Sequence, residues 1–173
     1  ISEQGYLILN YYRLGDCFLY LNNDSEALKY YNKALAVKPL AIPALQKLAK
    51  WHESKEQYSK AIEIIEKMKG IVDDEKADGL YKWLGDLYWK LGDKTNALDA
   101  FDNSLRIKPK QIEIYDRIEH ISGGIANHFL AKIGILEKQY KDSRSPELAA
   151  KIVNLCIAKQ DKEYANKALE FLP

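Results

Sequence analysis

The sequence predicts an all-α chain built as a stack of helix pairs. Three observations lead there. Apolar residues recur at three-and-four spacing in runs of helical length, as from Leu80 to Leu91 and again from Ala97 to Leu105. Short breaks of Gly, Asn, Asp or Pro separate the runs, as at Gly92-Asp93 and Pro109. Residues of matching size also return at a nearly fixed period: Ala27, Ala61, Ala97, Ala131 and Ala165 lie 34, 36, 34 and 34 residues apart.

Composition agrees with a folded helical chain. Of 173 residues 47% are hydrophobic, with only nine glycines and five prolines. Lys and Arg number 26 against 25 Asp and Glu, a net charge of +1, which gives no long-range field to gather nucleic acid or an anionic membrane. Lys or His interrupts every long apolar stretch, so neither a membrane span nor a signal peptide is expected. Cys17 and Cys156 are too far apart in the stack for a disulfide and lack metal-ligand spacing. Both read as small core residues, with a lean towards a reducing, cytoplasmic setting. The chain opens on Ile rather than Met, which points to a piece of a longer protein.

Residues 1–7 read as the end of something preceding. A first unit follows over about 8–41, its turn carrying Asn23 three residues before Glu26, a capping-box spacing. The second, about 42–75, keeps Leu45, Leu48, Ala49, His52, Ala61 and Ile65 at the inner positions, while Asp73 and Asp74 stand where the first unit has Pro39. Two extra residues in the charged stretch around 74–77 precede the third unit, 78–111, and insertion in such a loop costs little. There Asp93 is the expected N-cap of the second helix, and Pro109 ends it. Gly85 lies inside the first helix, where it costs about 1 kcal/mol relative to alanine. Close approach of another helix, with Ala97 opposite, is the reason to bear that cost. The fourth unit, about 112–145, keeps Tyr115, Ile118 and Ala131 but has Glu119 where a small residue belongs. Its turn, Ser122-Gly123-Gly124, shortens the first helix. The fifth, about 146–173, opens on Ser145-Pro146, a cap followed by a first-turn proline, and places Ile152, Cys156, Ala165 and Leu169 inside.

Tyr11, Leu14, Gly15, Phe18, Ala27, Tyr31, Ala34 and Pro39 in the first unit, and Tyr81, Leu84, Gly85, Tyr88, Ala97, Phe101 and Pro109 in the third, resemble the signature of the tetratricopeptide repeat. The resemblance implies one right-handed superhelical solenoid over 1–173 and a role in binding other proteins. It implies no catalytic residue, metal or cofactor. By the same analogy the first helix of each pair lines a concave groove. The groove residues would be Tyr12, Arg13, Asp16 and Tyr20, then Lys47 and Lys50, then Lys82, Trp83, Asp86, Trp89 and Lys90, with Asp116 and Arg117 following. That surface is basic and aromatic, the composition of a hot spot, and an extended or helical segment with acidic residues is the expected occupant. The lysine–asparagine clamp of relatives that hold acidic chaperone tails is missing, since those positions read Tyr12, Asp16, Lys47, Gly79 and Trp83. An asparagine ladder like that of the glycosyltransferase relatives is missing too.

Other chemistry has little support. His52, His120 and His128 lack a third ligand at metal spacing, and Ser122-Gly123-Gly124 has no preceding strand or nucleotide fingerprint. The sequence therefore reads as a non-enzymatic scaffold. A recruiting region of a larger enzyme, such as a glycosyltransferase, and a self-assembling repeat that associates through uncapped ends are the alternatives.

Overall fold

The computed structural model describes residues 2–123, 129–159 and 162–171. Among these residues ten α-helices follow one another with no strand: α1 (Glu3–Tyr20), α2 (Asp24–Val37), α3 (Ile42–Ser54), α4 (Tyr58–Lys69), α5 (Asp78–Lys90), α6 (Lys94–Ile107), α7 (Ile112–Ser122), α8 (Phe129–Ser143), α9 (Pro146–Ala158) and α10 (Lys162–Ala168). Single 3-10 turns, Asp74–Lys76 and Leu169–Phe171, precede α5 and follow α10. The chain divides into two compact units at Ile107/Lys108.

The caps form as the sequence predicts. Asn23 Oδ1 accepts from the Glu26 amide at 3.2 Å, and Asp93 Oδ1 accepts from the Asn96 amide at 3.1 Å. Ser145 accepts from Leu148 at the head of α9, with Pro146 in the first turn. Each leaves one fewer unsatisfied amide at a helix start. Gly123 ends α7 at φ 73°, a left-handed conformation that costs glycine nothing. Gly124 and His128 lie outside the described residues.

In the first unit α1 pairs with α2, α3 with α4 and α5 with α6, while α2 packs on α3 and α4 on α5. The inner alanines Ala27, Ala61 and Ala97 are fully buried. Gly15 in α1 and Gly85 in α5 each meet a ring rather than the facing alanine. A Cβ on Gly15 would fall 2.7 Å from Tyr31 Cδ1, and one on Gly85 would fall 2.6 Å from Phe101 Cε1. Both rings are themselves fully buried, so the missing side chain is the slot into which each aromatic fits. Ser104 fills a small position and donates its hydroxyl to the Asp78 carbonyl at 2.9 Å, so burial leaves its hydrogen satisfied. The extra residues before α5 form the 3-10 turn, with Ala77 buried behind it.

The second unit packs α8, α9 and α10 around Phe129, Ile133, Leu136, Ile152, Leu155, Cys156 and Ala168. Here the alanine register of the sequence fails. Ala131 and Ala165 are exposed, as is Leu169, while Lys132 and Ala168 take buried positions. A helix face is set by its richest apolar stripe. In α8 that stripe is Phe129, Ile133 and Leu136, which turns Ala131 outwards. Glu119, at the small position of α7, explains the burial of Lys132. The lysine ammonium lies 2.5 Å from Glu119 and 2.7 Å from Asp116. Burial alone would lower its pKa, but the Asp116 and Glu119 carboxylates outweigh that and raise it. Cys156 is buried as expected, and burial pushes its thiol up. Cys17 is exposed, contrary to its reading as a core residue.

Candidate protein-binding face

The first helices of the three pairs in the first unit, α1, α3 and α5, are tied to one another by side chains. Asp16 of α1 meets Lys47 of α3 at 2.7 Å. Glu53 of α3 reaches α5 twice, accepting from Trp83 Nε1 at 2.7 Å and from Lys90 Nζ at 2.6 Å. Asp16 also accepts from the Tyr31 hydroxyl at 2.8 Å, linking this ladder to the aromatic buried under Gly15. Burial, and then the Asp16 carboxylate, push the Tyr31 phenol well above the usual tyrosine range. Glu53 is the main cause that raises Lys90.

The ladder gathers Asp16, Lys47, Trp83 and Lys90 on neighbouring helices. It also shows that the basic reading of this surface is too simple, because Lys47 and Lys90 are already neutralised by Asp16 and Glu53. Both pairs are partly open to water, where each is worth about 0–1 kcal/mol, so they set register more than they stabilise. Arg13, Lys50 and Tyr20 are exposed, Tyr20 at 89%. Trp83 is half-buried against the core cluster around α4, so part of its ring serves packing. Trp89 is half-buried too, with Lys94 6.0 Å from its ring centre. Lys82 and Asp86 are half-buried and engaged in interactions of their own.

Tyr12 lines a hollow of about 440 Å³ with Leu9, Ile42, Pro43, Leu40 and Ile71. This hollow was not legible in the sequence, because Ile71 comes from the end of the second pair and Leu40 from a turn. Glu53 was equally undistinguished among the charged residues. Its signal is a spacing across units: an acid on one first helix, then its partner some thirty residues later on the next. Asp16 and Lys47 obey the same rule.

Asp116 and Arg117 belong to α7 in the second unit. Asp116 is committed to Lys132. Arg117 is half-buried, with a weak bond to the Glu113 carbonyl at 3.4 Å. Among the described residues no group of three or more His, Cys, Asp or Glu is placed to hold a metal ion, and no helix is long and apolar enough to cross a membrane.

The pattern described as tetratricopeptide repeat matches residues 9–41 and again 79–111. No curated protein matches the sequence. Solved structures do. The C-terminal part of a TPR repeat-containing protein from Cytophaga hutchinsonii superposes with a TM-score of 0.71 at 18% identity, over 99% of this chain and 70% of that one. The MamA protein gives 0.63 at 21% identity, over 96% and 88%. YrrB, described as a TPR protein with an unusual peptide-binding site, gives 0.59 at 16% identity, over 98% and 90%. Residues 9–41 and 79–111 are thus tetratricopeptide repeats, and the chain has the fold of these solved repeat proteins along nearly its whole length.

Proposed function

We propose that this protein is an interaction scaffold whose α1–α3–α5 face holds a segment of another protein. The observation that carries the reading is the combination of a braced polar ladder with an apolar hollow beside Tyr12. A ladder whose charges are already satisfied needs no rearrangement when a partner arrives, so little ordering cost opposes binding. The hollow has room for one large apolar side chain, while the exposed cations Arg13 and Lys50 favour acidic residues in the partner segment. Lys47 and Lys90 contribute less to that preference than their charge implies, since Asp16 and Glu53 hold them.

A panel of fluorescent acidic peptides, each with one Leu or Phe at varied position, tests this by anisotropy. Arg13→Glu with Lys50→Glu is expected to weaken the best peptide at least tenfold and to flatten its salt dependence. Tyr12→Ala is expected to abolish the preference for the apolar residue. Unchanged affinity in both variants would remove the reading.

A further inference from the structure

Glu53 stands in the last turn of α3 and holds two groups of α5 with one carboxylate. Its Oε2 accepts from Trp83 Nε1 at 2.7 Å and its Oε1 from Lys90 Nζ at 2.6 Å. Trp83 and Lys90 are seven residues apart, about two helical turns, so they share one side of α5. The Lys90 ammonium also lies 5.5 Å from the centre of the Tyr58 ring. Burial does not force this pairing, because the Glu53 and Lys90 side chains remain 25% and 43% exposed. A lysine so open to water needs no counter-ion, and such a pair adds little stability. What the pair changes is the charge that the face offers. On α1 and α3 the cations Arg13 and Lys50 are exposed. On α5 Lys90 already has its counter-ion, while Lys82 and Asp86 add one charge of each sign.

We propose that Glu53 sets the charge specificity of the binding face: it confines the acidic part of a partner segment to α1 and α3, and leaves α5, with Trp83 and Trp89, to uncharged residues. This role of Glu53 presupposes the scaffold reading above and adds where on the face the acids go. A carboxylate arriving at Lys90 has to share the ammonium with Glu53 at close quarters, and like charges so placed repel. It gains nothing from the Trp83 indole N–H, which is already given to Glu53. Neutral residues meet neither penalty and find two half-buried indoles to lie against. Glu53→Gln keeps the shape but leaves one acceptor oxygen, and its amide nitrogen turns a donor towards the other partner. It cannot hold Trp83 and Lys90 together, so the cation of α5 is released.

Anisotropy with two labelled peptides tests this, each carrying one Leu or Phe for the hollow and each made in both chain directions. One peptide has its Asp and Glu next to that residue. The other has them beyond six neutral residues, a reach of about 20 Å when extended. The unaltered chain is expected to bind the first more tightly, a comparison that needs no variant to fold. Glu53→Gln is expected to tighten the second by about threefold or more, the range of one exposed ion pair, and to leave the first within about twofold. The gain should fade as salt rises and vanish when Lys90→Gln is added. Damage to the fold at position 53 weakens both peptides and cannot produce a gain. Equal affinity of the unaltered chain for the two peptides, no gain in Glu53→Gln, or a gain that survives Lys90→Gln overturns the proposal while the scaffold reading stands. Binding of the second peptide by Glu53→Gln, when the unaltered chain binds neither, supports the role of Glu53 and overturns the scaffold reading. No binding by either chain overturns both.

Discussion

Gly15 and Gly85 are the residues at which one methyl group matters most. Their neighbours, Tyr31 and Phe101, are fully buried rings with nowhere to retreat. Gly15→Leu or Gly85→Leu is expected to cost about 1–3 kcal/mol or more by overpacking, read as a drop in the urea midpoint. Phe101→Ala, which instead empties the slot, should cost about 3–5 kcal/mol. Asp93 offers a different single-residue test. Its bonds to the Asn96 side chain and amide hold its carboxyl below the usual range. A depressed folded pKa means the stabilisation is present above the unfolded value of about 3.9 and is lost as pH falls through the folded one. Asp93→Ala should therefore lower the melting temperature at neutral pH and leave it little changed in acid, where the carboxylate is already protonated. Asp93→Asn should keep most of the cap while losing its acid sensitivity, as followed by helicity against pH.

At the scale of elements, the α7–α8 pair departs furthest from the family pattern. Its first helix has Glu119 where closer packing needs a small residue, and the second answers with Lys132. Lys132→Leu alone leaves the partly buried Glu119 without its cation, a change expected to cost about 3 kcal/mol in thermal or chemical melts. Combining it with Glu119→Ala restores a small residue and an apolar neighbour, and the double variant should recover most of that loss. Because the folded pKa of Lys132 is raised, the pair's contribution is complete below the unfolded lysine value and fades only as pH rises through the folded one. Melting of the unaltered chain should thus lose this contribution in the alkaline range, a dependence the double variant lacks. The ladder on α1, α3 and α5 is similar in kind but sits near water, so its removal should change peptide affinity more than melting.

Across the whole molecule, protection should follow packing. In the first unit α5 is covered on both sides by α4 and α6, whereas among the described residues α7 touches α8 sparingly. Amides of α5 are expected to exchange with deuterium more slowly than those of α7, read by mass spectrometry of peptides from each helix. Much of this arrangement was legible beforehand. The Asn23, Asp93 and Ser145 caps and the inner alanines of the first three pairs depend on neighbours close in sequence or on a repeat that copies them. The sequence by itself determined the helices, their pairing and the repeat, because those follow from local periodicity and from size repeated at a fixed interval. Only the tertiary structure decided that Ala131 and Ala165 face water, that Lys132 is buried, and that Glu53 disarms Lys90. Those outcomes depend on which face each helix turns towards its neighbour, and that choice is a competition among whole surfaces rather than a property of any one stretch.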